Sequence, residues 1–357
     1  MKKLALVTAL LGAVTLTSQV TAQSRDQIRI VGSSTVFPFA TAVAEEFGRS
    51  TNFKTPIVES TGSGGGLKLF CSGIGTNNPD ITNASRRIKQ SEVGLCAKNG
   101  VRDIVEVKIG FDGIVLAADK SAEPMTLSLR DLYLALAAQV PAPGTDGGLG
   151  NMVENPYKTW KEVNSTLPNK PIYVLGPPPT SGTRDAFNEL AVEGGCKTFP
   201  AMKALKNADK KAYKALCRGI REDGLYVEAG ENDNLIVQKL QADKKAVGIF
   251  GFSFLDQNAD VINAFPVSKK AGGSAQEPTF DAISDGSYPI SRSLYFYVKK
   301  AHVGVIPGIE EYLAEFISDK ASGDLGYLSD RGLIPLPDAE RSAYQAAASS
   351  LAPLSLD

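Results

Sequence analysis

Imidazole is almost absent from this chain. Its 357 residues include one histidine, His302, and one tryptophan, Trp160. A histidine-rich metal centre is thereby excluded, and a Ser-His-Asp triad would have to recruit His302. That residue follows Lys299-Lys300 at the end of an apolar run, a position that predicts an exposed side chain. No Gly-x-Ser-x-Gly elbow marks a hydrolase serine. No Gly-x-x-x-x-Gly-Lys-Ser/Thr loop marks a P-loop ATPase. An excess of either charge is also missing: 38 Lys and Arg stand against 39 Asp and Glu, for a formal net charge of −1. A general nucleic-acid binder would show a basic surplus.

Beyond the N-terminus no apolar run reaches the roughly 18 residues that a membrane helix needs. The N-terminus itself has the form of a secretory signal. Lys2 and Lys3 precede an apolar stretch from Leu4 to Leu16, and Val20-Thr21-Ala22 offers small residues before a cut at Ala22/Gln23. Residues 1–22 are therefore expected to be a signal peptide, and no cysteine follows the cut to carry a lipid. Their removal takes two lysines and no acid, leaving a formal charge of −3. The product is expected to be soluble, exported and periplasmic.

Cysteine usage agrees with export. Cys71, Cys96, Cys196 and Cys217 form two local pairs, none in a Cys-x-x-Cys motif. An even count in an oxidising compartment predicts disulfides. Three connectivities are possible; Cys71–Cys96 with Cys196–Cys217 closes the shortest loops. The spacing does not suit a four-thiolate zinc site.

The chain reads as α/β. Gln27–Val31 predicts a short strand ending in Gly32-Ser33-Ser34-Thr35, followed by a helix with Phe37, Ala40, Ala44 and Phe47 at helical spacing. Thr55–Glu59 runs into Ser60-Thr61-Gly62-Ser63-Gly64-Gly65-Gly66 and a second helix. A third such unit ends in Asn83-Ala84-Ser85-Arg86. Asp103–Ile109 and Gly113–Ala118 are apolar extended runs, and Pro171–Gly176 leads to Thr180-Ser181-Gly182-Thr183-Arg184 and another helix. Repeated strand–turn–helix units are the pattern of an open α/β sheet. Residues 197–218 carry many lysines at helical spacing, which predicts a solvated face. The last ten or so residues predict a poorly ordered tail.

Several of these turns share a composition. Each brings hydroxyls or glycines to a helix N-terminus, where backbone N–H groups lack partners and the dipole favours an anion. Open α/β sheets bind ligands at the carboxyl ends of their strands, so three such ends meeting in one cleft would enclose a tetrahedral anion. Serine and threonine are equally the ordinary caps of helices, and any one turn taken alone could be structural.

Taken in order, Gly32-Ser-Ser-Thr-Val-Phe-Pro38, Ser60-Thr-Gly-Ser-Gly-Gly-Gly66, Asn83-Ala-Ser-Arg86, Thr180-Ser-Gly-Thr-Arg184 and Ser287-Tyr-Pro-Ile-Ser-Arg292 resemble the PstS family. Its members are the phosphate-binding proteins of bacterial phosphate-specific ABC transporters. The resemblance spans almost all of the mature chain. It implies a two-lobed periplasmic-binding-protein fold (class II-like), with the ligand cleft between two mixed α/β domains. Lobe one is expected to comprise residues 24–110 and 289–357, and lobe two 111–288. The implied ligand is inorganic phosphate and the implied partner is the membrane permease of a phosphate ABC transporter. A monomer is expected, with no cofactor, no metal, no nucleic acid and no enzymatic turnover.

Turn by turn, the resemblance implies phosphate contacts from Thr35 with Ser34, from Ser63, and from Ser181, Gly182 and Thr183. Two positions depart from the commoner pattern. Many members carry an aspartate where this chain has Arg86, and an arginine where it has Pro177. Positive charge is therefore expected at Arg86, aided by Arg184. Preference for phosphate over sulfate then needs another proton acceptor, and Asp112, near the first expected interlobe crossing, is the choice. The alternatives are a binding protein for another tetrahedral oxyanion such as sulfate, or a secreted serine hydrolase.

Overall fold

The computed structural model describes residues 25–356 apart from Asp146 and Glu231. The expected signal peptide lies outside the described residues. Nine strands build one sheet: β1 Arg29–Gly32, β2 Ile57–Ser60, β3 Ile81–Ala84, β4 Ile104–Asp119, β5 Val174–Gly176, β6 Tyr226–Glu228, β7 Val247–Gly251, β8 Ile262–Ala264 and β9 Ser291–Lys299. Their order is β2-β1-β3-β9-β4-β7-β5-β6, with β8 also on β4. The first three strands are parallel, as are β5, β6 and β7. The antiparallel strands β4 and β9 lie between these two sets.

β4 joins the lobes. The two extended runs expected at 103–109 and 113–118 are one strand of 16 residues. Its first part pairs with β9, up to Gly113 opposite Ser291. Its second part pairs with β7, from Ile114 opposite Gly251. Within the first part Gly110 has a φ of +149°, and beside it the register with β9 shifts, at Leu294/Tyr295. Only glycine fits here. A Cβ would come within 2.4 Å of the Ile334 carbonyl oxygen, because the C-terminal segment crosses at this point, with Ile334 and Phe111 exchanging backbone hydrogen bonds.

Each lobe has its own core. In lobe one the helix Phe37–Ser50 carries Pro38 in its first turn, where a missing N–H costs little. It buries Phe39, Ala40, Val43, Ala44 and Phe47 against Ile30, Ile81, Phe296 and the helix Ile309–Phe316. In lobe two Tyr133, Trp160, Phe187 and Tyr213 pack with Val174 and Val247. Each such side chain contributes roughly 1.5–3 kcal/mol by leaving water.

The two disulfides pair as expected. Cys71–Cys96 ties the helix Ser63–Phe70 to Gln90–Lys98, and Cys196–Cys217 ties Glu193–Cys196 to Lys210–Arg218. With sequence separations of 25 and 21, each contributes about 3 kcal/mol on a chain-entropy argument.

Two local expectations fail. The C-terminal segment is not a loose tail: the Leu354 N–H donates to the Ile104 carbonyl at 2.7 Å, and Leu351, Leu354 and Leu356 pack onto lobe one. Composition missed this because apolar side chains and one strand-edge hydrogen bond, not local propensity, hold the segment. Nor is His302 exposed. It is buried, with Nδ1 at 2.5 Å from Asp80 Oδ1 and Nε2 at 2.6 Å from the Ile74 carbonyl. Asp80 also takes Arg25 and the Arg29 N–H. This cluster closes the end of the sheet where β3 begins and β9 ends.

Candidate functional site

At the opposite edge, where parallel strands end, four turns meet. The turn after β1 is fixed from below: the Ser33 N–H donates to the Asn83 carbonyl at 2.9 Å, and the Ser33 carbonyl receives Phe37 N–H at 3.0 Å. The turn after β2 opens the helix Ser63–Phe70, and Ser63 Oγ accepts the Ser85 N–H at 3.0 Å. Ser63 thus locks the second turn to the third. From lobe two, Ser181 caps Gly182–Phe187 by accepting the Thr183 N–H at 3.2 Å. Gly182 faces the first turn. A Cβ there would lie 3.1 Å from the Ser34 carbonyl oxygen and 3.4 Å from Thr35 Cα, so the absent side chain lets the two lobes approach.

Between the lobes lies a cleft of about 900 Å³. Ser34, Thr35, Ser63 and Arg86 line it. Gly182 abuts its Ser34–Thr35 wall, with Ser181 and Thr183 beside it. Asp112 touches the lining residue Arg292, and Arg184 is buried against Pro177.

The four charged residues have different situations. Arg86 lies on the wall, but its guanidinium is already engaged: Nη1 and Nη2 hold Glu92 at 2.9 and 2.7 Å. Arg184 is buried under its turn, where Nη1 donates to the Pro177 carbonyl at 2.9 Å and the guanidinium sits 4.2 Å over the Tyr226 ring. It shapes the turn and is not a surface salt bridge. Asp112 faces Arg292, its register partner on β9, at 3.3 Å from Nε. Burial pushes its carboxyl above the usual range, against the pull of Arg292.

Arg292 is the residue that sequence reasoning passed over. Its side chain is 8% exposed. It donates to Thr35 Oγ1, to Asp112 and, through Nη1, to Glu189 Oε2 of lobe two at 3.3 Å. One guanidinium therefore touches lobe one, the crossing strand and lobe two. The signal was present, since Arg292 closes the motif that begins at Ser287.

A second buried acid lies near the crossing. Asp233 receives the Gly251 N–H at 3.2 Å. Burial, with a contribution from the Asp112 charge, pushes its carboxyl up to about 6.

The only imidazole is committed to Asp80 and Ile74, so the serines of the cleft have no histidine base. Among the described residues no cluster of His, Cys, Asp and Glu could hold a metal ion. No described helix is long and apolar enough to cross a membrane.

The PBP superfamily domain matches residues 17–320 of the sequence. The chain belongs to that superfamily. Among curated relatives, protein SphX of Synechococcus elongatus is 33% identical over 322 residues, covering 88% of this chain and 78% of its own. The phosphate-binding protein PstS of Staphylococcus saprophyticus is 29% identical, with coverages of 88% and 82%. Among solved structures, a possible phosphate-binding protein from Planctomyces limnophilus is 27% identical with a TM-score of 0.68, covering 91% of this chain and 98% of its own. The two-lobed mixed α/β architecture and the cleft between lobes are those of a PBP.

Proposed function

We propose that the chain binds inorganic phosphate in this cleft and delivers it to the permease of an ABC transporter. The observation that carries the reading is Arg292, a buried cation placed against Thr35 at the meeting of the strand ends. A tetrahedral anion there meets one charge-assisted donor and a ring of neutral ones from Ser34, Thr35, Ser63, Ser181, Gly182 and Thr183. Charge-assisted hydrogen bonds are about twice as strong as neutral ones, so Arg292 supplies attraction and the turns supply shape. Arg86 flanks the site and Arg184 supports it from behind. The PstS relative is a phosphate-binding protein and the Planctomyces structure is that of a possible one, which supports the same ligand.

The reading includes lobes of residues 24–110 with 289–357 and 111–288, export through a signal peptide, and action as a periplasmic monomer. It is binding without turnover, because none of the cleft serines has a histidine base. Calorimetric titration with phosphate, sulfate and a phosphate monoester, with release of free phosphate monitored, tests it. One phosphate per chain and no ester turnover are expected. A protein that takes sulfate and ignores phosphate overturns the reading.

A further inference from the structure

The lysine-rich face of residues 197–218 is solvated as expected, and it also forms a wall of the cleft. Lys210, Lys214 and Arg218 recur every four residues along the helix Lys210–Arg218, a spacing that puts them on one face, and Lys206 lies on the preceding helix. The helices Pro200–Ala208 and Lys210–Arg218 meet at Asp209, whose carboxylate caps the second by accepting two N–H groups at 2.9 Å. All four basic residues line the cleft together with Ser33–Thr35 and Gly62–Gly65.

This wall is basic beyond what one phosphate requires. Among the described residues, eight basic side chains line the cleft against four acidic ones, in a chain whose formal net charge is −1. The acids are largely spoken for: Glu92 by Arg86, Glu189 by Arg292 and Arg218, and Glu193 by Lys197, Lys206 and Arg218. Lys210 and Lys214 form no salt bridge among the described residues, whereas Lys89 lies near enough to Glu92 to help lower its carboxyl.

The wall is also fixed in place. Glu193 is buried and receives the Tyr213 hydroxyl at 3.0 Å. Burial favours its neutral form, yet Lys197 and Arg218 hold its carboxyl down at about 2. The Cys196–Cys217 disulfide ties the helix Lys210–Arg218 to Glu193–Cys196.

We propose that the cleft also takes short linear condensed phosphates, pyrophosphate and tripolyphosphate. The terminal phosphoryl group would occupy the turns and Arg292, and the following groups would run along Lys210 and Lys214. The proposal rests on the phosphate reading of the turns. A concentrated positive wall over a groove favours a polyanion over a single small ion. The lining offers no open aromatic face for a nucleobase, since its one aromatic residue, Tyr213, is buried. A nucleotide is thereby disfavoured, and the condensed phosphate is bound without cleavage.

The experiment is calorimetry on the exported full chain at fixed ionic strength, with orthophosphate and tripolyphosphate alone and in competition. Tripolyphosphate is expected to bind and to be displaced by orthophosphate. The double variant Lys210→Gln/Lys214→Gln is expected to bind tripolyphosphate about tenfold more weakly, from the loss of two partly screened charge contacts. Its orthophosphate affinity should stay within about twofold, which also shows that it is folded. A parent protein that binds orthophosphate but not tripolyphosphate overturns this inference and leaves the proposed function intact. Equal loss of both ligands in the variant overturns it too. A parent that binds neither overturns both readings.

Discussion

Glu189 and Arg292 meet across the cleft at 3.3 Å, a lobe-two carboxylate resting on the guanidinium that also holds Thr35. Their freedom is unequal: the Arg292 side chain is 8% exposed and that of Glu189 is 47%. Arg292 is fixed by Asp112 and Thr35, and Glu189 is the partner able to leave. An arriving phosphate has the same sign of charge as Glu189 and competes for the same donor. Glu189→Gln is therefore expected to tighten phosphate binding by about fivefold, the scale of one exposed ion pair. Calorimetry of both proteins at one ionic strength checks this. Unchanged or weaker binding removes Glu189 from competition with the ligand.

The two cleft arginines should separate in a mutational comparison. Arg292→Ala removes a buried charge from the centre of the site, and losses of that kind typically cost about 2–5 kcal/mol. Phosphate affinity should fall by roughly 30-fold or more. Arg86 is held by both oxygens of Glu92, so Arg86→Ala removes a cation together with the need of its counter-ion, and about a threefold loss is expected. The reverse order of effects would return the main charge to Arg86.

What could be read from the sequence divides along a physical line. The turns at Ser34–Thr35, Ser63 and Ser181–Thr183 were legible because each is a local event: a short apolar strand, small polar residues and a helical stripe. So were the disulfides, which close local loops. Arg292 was harder because its role depends on the pairing of β9 with β4, which sets it opposite Asp112 across 180 residues of chain. The same limit hid the docking of Leu354 on Ile104 and the burial of His302 against Asp80. In each case the partner is remote in sequence, and side-chain composition near the residue does not reveal it.

Asp233 makes stability depend on pH in an identifiable window. Its carboxyl is raised from 3.8 to about 6. Between about pH 4 and pH 6 the folded chain holds a proton that the unfolded chain has released, so stability falls as pH rises through that window and levels off above it. The full effect is on the order of 2–3 kcal/mol. Asp233→Asn removes the titration while still accepting the Gly251 N–H. Thermal melts should show the melting temperature of the variant gaining a few degrees on the parent between pH 4 and pH 7. A constant difference across that range would show that Asp233 does not titrate there.

Asp112 bears on the choice of anion. Hydrogen phosphate carries a proton near neutral pH and sulfate does not. An ionised carboxylate near the ligand accepts a hydrogen bond from the first and repels the second, and like-charge contact of this kind costs several kcal/mol. Asp112 is held against Arg292, the cation proposed to hold the ligand, so its charge is felt where the anion sits. Asp112→Asn keeps the size, and its Oδ1 can still accept from Arg292 Nε. The variant is expected to lose at least tenfold of the preference for phosphate over sulfate, chiefly through a gain in sulfate binding. It should also shift the Asp233 titration to lower pH, because the Asp112 charge is one cause of its elevation. Sulfate and phosphate isotherms at fixed salt, with melts of the same variant from pH 4 to pH 7, read both effects. If discrimination survives while the Asp233 window moves, the Asp112 charge reaches Asp233 but not the ligand, and selectivity arises elsewhere in the cleft.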